Sequence, residues 1–275
     1  MTAQDQPVRV VPCEGVLTAY RELGTGPLLV LVHGAEADHT MFLRLMDVLS
    51  SHFRVVAYDQ RDSGTTGNGG TPYGLEDLAD DAAELITCLL DTSDEGSAHV
   101  YGTSFGGQIA QLLAARHPQL VGRLVLGSTW AVDRPLRDVN ADAIGEIARL
   151  RGQLPDSAAQ IAAYFFSQAF LAARPEVVEL FRGVQRTPDQ AARRGRMMQA
   201  APPAITFADI KSPTLLLAGG ADRLIPPSET FRLAGRIADT QQRELAGLPH
   251  VGAIEDPHRV ARAIMDFLLP ERTLP

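Results

Sequence analysis

Residues 28–32 read Leu-Leu-Val-Leu-Val and stop at His33-Gly34, an apolar run with no polar face and too short for an ordinary helix. A run of this kind suits a strand buried on both sides, as in a parallel sheet covered by helices. Similar runs recur at Val55–Tyr58, His99–Tyr101, Leu124–Leu126 and Thr214–Ala218, the last ending in Gly219-Gly220. Segments of helical period at Met41–Ser51, Leu75–Leu90 and Gln108–His117 separate the earlier runs. Alternation of this sort predicts an α/β fold with a mostly parallel central sheet of about eight strands flanked by helices. Two less regular strands near Val8–Val11 and Leu17–Leu23 suit an antiparallel edge, and a strand at Gln242–Leu245 and a helix at Pro257–Leu269 close the pattern.

The rhythm breaks between Asp133 and Lys211, where Ala-, Arg- and Phe-rich segments read as several helices with no strand between them. The expected organisation is a core built from residues 1–132 and 212–275, with 133–211 inserted after the sixth strand as a helical cap. A chain of 275 residues fits one such domain. Phe165, Phe166 and Phe170, with Tyr164 beside them and Trp130 before the insertion, are candidates to line a substrate cavity, since pockets are largely apolar and lie between elements. The competing expectation is that this aromatic stripe only packs a core. The Gly-rich stretch Asp62–Gly74 reads as a flexible loop.

A hydrophobic fraction of 45% with 21% charged residues supports a large core and excludes a disordered chain. The formal charge of −8, with no block of like charges, argues against nucleic acid or an anionic membrane as a partner. Met1–Arg9 is polar, no stretch approaches the 18 apolar residues of a membrane helix, and Cys13 and Cys88 are isolated thiols, so a cytoplasmic protein is expected. Whether it is a monomer or a homodimer is left open. No metal or other cofactor is expected, because there is no His-x-x-x-His pair, no Cys cluster and no phosphate-binding Gly-Lys-Ser run. Glu36, Asp38 and His39 form a small polar group that suits helix capping or substrate contact better than a metal.

The chemistry-bearing motif is Gly102-Thr103-Ser104-Phe105-Gly106, set between a short strand and a helix. That is the context in which a serine is held exposed on a sharp turn at the sheet's carboxyl edge. A serine hydroxyl needs a base to take its proton and a third group to orient that base. His250, in Leu248-Pro249-His250-Val251-Gly252, lies in a loop after the last strand. Asp222 follows the strand Thr214–Ala218, so the chain order is Ser104, Asp222, His250, the order a nucleophile elbow of this type uses. The loop after the first buried strand, His33-Gly34-Ala35-Glu36, stands where such an elbow draws its second oxyanion donor. The amides of Ala35 and Phe105 are therefore the expected oxyanion hole. His33 and Glu36 are placed near substrate, and His33 suits a brace for the loop better than a proton carrier.

At these residues the sequence resembles the α/β-hydrolase superfamily, in its capped bacterial branch. His33-Gly34, Asp59-Gln60-Arg61, Gly102–Gly106, Asp222–Pro226 and His250 through Glu255-Asp256-Pro257 follow that branch's landmarks in its order. Two departures stand out. Asp62 occupies a position where the branch often has glycine, a feature similar to aclacinomycin methylesterase-type enzymes, and Pro249 precedes the histidine in place of glycine. The resemblance implies a serine hydrolase without cofactors, acting on a small-molecule ester or lactone. An amidase or carbon–carbon bond hydrolase using the same three residues is the alternative, and a ligand-binding protein that turns over slowly is a third.

Overall fold

Eight strands form one sheet in the order β1-β2-β4-β3-β5-β6-β7-β8. They are β1 (Arg9–Cys13), β2 (Val16–Leu23), β3 (Leu28–Val32), β4 (Arg54–Tyr58), β5 (Ala98–Thr103), β6 (Val121–Gly127), β7 (Thr214–Gly219) and β8 (Thr240–Leu245). The computed structural model describes residues 2–13, 15–91, 96–182 and 186–269. β1 and β2 pair antiparallel, and β2 meets β4 antiparallel, which makes the expected edge. Every other pairing is parallel.

Side chains on successive residues of a strand point to opposite faces, and both faces here are apolar. Val30, Val32, Val56, Val100, Leu124 and Leu126 pack on one side with helices α2 (Leu75–Leu90) and α3 (Phe105–Arg116). Leu29, Leu31, Val55, Tyr101, Val125 and Leu215 pack on the other side with α1 (Leu43–Leu49) and the C-terminal helix Pro257–Leu268. This two-sided burial is why the central strands read as unbroken apolar runs. The helix expected from Met41 is preceded by a 3-10 turn, His39–Phe42, capped by the Asp38 carboxylate, which accepts from the Thr40 amide at 2.8 Å.

Between β6 and β7 the chain forms α4 (Ala141–Arg151), α5 (Ala158–Phe165), α6 (Gln168–Ala173) and α7 (Pro188–Gln199), with no strand among the described residues. The stretch Asp62–Gly74 is a loop, as expected, with exposed glycines between buried polar side chains. Asp62, Ser63, Thr66 and Asn68 are buried. Thr66 Oγ1 accepts from the Ala19 amide at 2.9 Å, and Asn68 Nδ2 donates to the Thr71 carbonyl at 2.6 Å. Polar side chains here supply the hydrogen bonds that a helix or strand would otherwise provide.

β3 is followed in sequence by β4 on one flank, whereas β5 lies on its other flank. The carboxyl ends of β3 and β5 therefore border the crevice at which an open α/β sheet binds ligands. α3 can rise from that point because Gly106 has no side chain: a Cβ there would lie 2.1 Å from the Val32 carbonyl oxygen. Gly102 is similarly confined, with the Gly106 carbonyl 2.4 Å from a would-be Cβ. Backbone cannot yield as a side-chain tip can. Gly106→Ala is expected to lower stability by about 3 kcal/mol or more, seen as a large drop in the urea midpoint; an unchanged midpoint would contradict the packing described.

Candidate active site

Ser104 stands between β5 and α3 with φ 54° and ψ −124°, a left-handed conformation uncommon for a residue with a side chain. The surroundings enforce it. Its amide donates to the Gly127 carbonyl at 2.8 Å, and its own carbonyl accepts from Thr129 Oγ1 at 2.7 Å. Strain of this kind persists where neighbouring structure over-determines it, and it often marks a functional position.

Three side chains from three loops meet here. Ser104 Oγ donates to His250 Nε2 at 3.0 Å, and His250 Nδ1 donates to Asp222 Oδ2 at 2.7 Å. The tautomer follows from the partners: a carboxylate can only accept, so Nδ1 carries the proton and Nε2 offers its lone pair to the serine. Asp222 is itself fixed, since Oδ1 accepts from the amides of Leu224 and Ile225, each at 2.9 Å. Close approach of two loops makes this possible. A Cβ on Gly219 would lie 2.5 Å from the Leu248 carbonyl oxygen, so glycine lets the loop carrying His250 settle onto the end of β7.

Phe105 is the first residue of α3, where an amide has no acceptor within the helix. The Ala35 loop faces it, with a would-be Cβ of Gly34 3.7 Å from the Ser104 Cβ. His33 is fully buried beneath that loop, and both its ring nitrogens are engaged. Nδ1 donates to the Gly34 carbonyl at 2.8 Å, while Nε2 accepts from the Gln60 amide at 3.2 Å. The imidazole is thus a brace for the loop, with no nitrogen left to touch substrate. Burial, reinforced by the charge of Arg194, pushes its pKa down to about 4.

The other expected contacts divide. Phe165 sits edge-on to His250, with ring centroids 5.5 Å apart, and also packs on Phe181 at 4.9 Å. Phe166 is buried, stacking on Phe170 at 5.2 Å and meeting Phe181 at 6.0 Å. Trp130 packs with Val139, Ala143, Ile147, Leu224 and Ile225, and its indole N–H donates to the Arg134 carbonyl at 3.0 Å. Glu36 pairs with Arg186 at 2.9 Å. Asp38 and His39 lie close to Asp59, with one ligand atom of each within 4.8 Å of the others. His39 Nδ1 donates to Asp59 at 2.8 Å, and its Nε2 accepts from Arg21 at 3.1 Å.

Sequence reasoning missed Phe181 and three arginines of the inserted segment. Arg193 binds Asp62 through two bonds of 2.9 and 2.8 Å, and Arg186 and Arg194 both reach the Ala35 carbonyl. Asp62 has φ 56° and is buried, so its departure from glycine gains an arginine partner at the cost of a left-handed backbone.

The sequence model of the alpha/beta hydrolase family matches residues 29–263. The chain belongs to that family. It is 28% identical over 280 residues to the 2-hydroxy-6-oxo-2,4-heptadienoate hydrolase of Pseudomonas putida, covering 96% of each protein. With the 2-(acetamidomethylene)succinate hydrolase of Mesorhizobium japonicum it shares 26% identity over 262 residues, 90% of each. The solved enol-lactonase of Burkholderia xenovorans superposes with a TM-score of 0.77 at 26% identity, over 95% of this chain and 100% of that one. This alpha/beta hydrolase therefore has full-length relatives whose names cover several substrates.

The buried His33 makes the fold sensitive to acid. Its pKa lies near 4 in the folded protein against 6.5 for a free histidine, so between those values the unfolded chain binds the extra proton. Stability contributed by neutral His33 is complete above pH 6.5 and falls as pH drops toward 4, by on the order of 3 kcal/mol. Urea unfolding at pH 7 and pH 4.5 should show this loss in the wild type and a smaller one in His33→Gln. Equal losses would contradict it.

Proposed function

We propose that the protein is a serine hydrolase of small to medium, largely apolar carboxylic esters or lactones, acting through an acyl-enzyme. The observation that carries this reading is the continuous relay from Ser104 through His250 to Asp222, at 3.0 and 2.7 Å, on a serine held at φ 54°. In the first half-reaction the Ser104 oxygen bonds to the carbonyl carbon while its proton passes to His250 Nε2. The carbonyl electron pair becomes an oxyanion, which the amides of Ala35 and Phe105 receive; each such donor is worth about 3 kcal/mol in comparable sites. Collapse of the tetrahedral species expels the alkoxide, which takes the proton from His250. Water then repeats the sequence on the acyl-enzyme, giving the acid and free Ser104. Asp222 stays ionised throughout and holds His250 in its productive tautomer.

Residues 133–211 serve as the cap in this reading. Phe165 beside His250 and Phe181 beyond it offer an apolar wall for the acyl or alcohol group. A second reading, the same relay acting on an amide or on a ketone with cleavage of a carbon–carbon bond, draws support from the oxo-dienoate and acetamido compounds in the relatives' names. Fold alone does not choose between these chemistries.

Hydrolysis of p-nitrophenyl esters of graded chain length, of lactones and of anilides separates the readings. Esters or lactones should be cleaved faster than anilides, and Ser104→Ala should lose at least about 10³-fold in kcat. Full activity in Ser104→Ala would overturn the mechanism, and faster anilide cleavage would favour the second reading. Asp222→Asn should reduce kcat by about 10²–10⁴-fold with little change in KM; equal effects on both constants would argue against an orienting role.

A further inference from the structure

Arg194, on α7, is 3% exposed, and its guanidinium donates to neutral groups, the carbonyls of Ala35 and Arg61, the Gln60 side chain and the Tyr73 hydroxyl, with Glu36 adding a favourable charge. A buried charge whose hydrogen bonds go to neutral groups is costly and calls for a purpose beyond docking a helix. Docking is already served by its neighbours, since Arg193 takes both oxygens of Asp62 and Arg186 takes the Asp62 carbonyl at 2.8 Å and Glu36 at 2.9 Å. Arg194 does something different. Its Nε and Nη2 donate to the Ala35 carbonyl at 3.1 and 2.8 Å, and its guanidinium carbon lies 5.3 Å from the centre of the Phe105 ring. One side chain of the inserted segment therefore touches both residues whose amides are assigned to the oxyanion hole.

The geometry around Ala35 shows what that contact controls. Peptide groups are planar, so fixing a carbonyl fixes the amide on the other side of the same unit. The Gly34–Ala35 peptide is held from the core, where His33 Nδ1 donates to the Gly34 carbonyl at 2.8 Å. The next peptide, Ala35–Glu36, is held by Arg194, with Arg186 Nη2 contributing at 3.3 Å. Gln60 joins the two clamps: its Nε2 donates to the His33 carbonyl at 2.7 Å, and its Oε1 accepts from Arg194 at 3.0 Å. The Ala35 N–H lies in the first of these planes, held by His33, whereas Arg194 holds the second and so fixes the course of the chain that leaves Ala35.

We propose that Arg194 is a positioning residue of the oxyanion hole, its own contacts with the Ala35 carbonyl and the Phe105 ring completing the geometry in which the transition state is held. The inference rests on the acyl-transfer reading above.

The test compares Arg194→Met, Arg194→Lys and Arg193→Met with the wild type, using p-nitrophenyl butyrate as substrate and an alkyl trifluoromethyl ketone as a mimic of the tetrahedral oxyanion. Rates are expressed per folded molecule. Arg194→Met should lose about 10- to 100-fold in kcat, less than or near the effect of deleting an oxyanion donor, with KM changed by no more than about threefold. Its inhibition constant for the ketone should rise by the factor by which kcat/KM falls. Arg194→Lys, which keeps a charge and a donor, should recover part of both; if the methionine variant does not fold, the lysine variant's loss in kcat and ketone affinity decides. Arg193→Met should lower the melting temperature yet keep kcat within about twofold. Wild-type kcat and ketone affinity in folded Arg194 variants would overturn the inference, as would an equal kcat loss in Arg193→Met. A wild type that ignores the ketone, or a Ser104→Ala that cleaves the ester equally well, would instead overturn the acyl-transfer reading itself.

Discussion

The approach of α3 to β3 at Gly106, where no side chain fits beside the Val32 carbonyl, is the contact on which the site depends. It lets the helix start directly after β5, with Ser104 at positive φ and the Phe105 amide, first in the helix, without a helical acceptor. The same contact brings the end of β3, with His33 to Glu36, alongside the serine. A side chain at position 106 would meet the Val32 and His33 carbonyls and push α3, with Ser104 at its start, away from the loop opposite. Chemistry at this crevice is thus a consequence of backbone packing before it is a matter of side-chain identity.

Around that contact, the inserted segment touches each of the loops that complete the site. Arg186 and Arg194 reach the Ala35 loop, and Asn140 Nδ2 donates to the Arg223 and Leu224 carbonyls in the Asp222 loop at 3.0 and 3.2 Å. The Val251 amide, next to His250, donates to the Phe165 carbonyl at 3.2 Å, and Ser167 donates to Glu255 from both its amide and its hydroxyl. The segment is consequently tied to the geometry of the site. This division of labour is physically economical: the sheet provides a rigid edge, and contacts from outside the sheet adjust the loops on it.

Much of this was legible in the sequence. Strands buried on both faces announce themselves as unbroken apolar runs, and the order Ser104, Asp222, His250 names three residues that the fold brings within hydrogen-bond reach. The arginine contacts were not legible. Arg194 meets Ala35 across 159 residues of chain, and a helix reading Ala-Ala-Arg-Arg-Gly-Arg looks like an exposed charged surface until its partners are known. The stretch from Asp62 to Gly74 was legible as a Gly-rich loop, but the hydrogen bonds of Thr66 and Asn68 within it depend on tertiary placement and were not. Asp62 was visible as a departure from the family pattern, but its meaning lay in Arg193, which no local reading could pair with it.

The claim that Ser104 is a nucleophile activated by His250 is tested most directly by intact-protein mass after incubation with a fluorophosphonate at neutral pH. The account predicts one adduct per chain, mapping to Ser104 and absent from a folded His250→Ala variant. A folded wild type that acquires no adduct, or an adduct that forms on Ser104 equally well without His250, would contradict it.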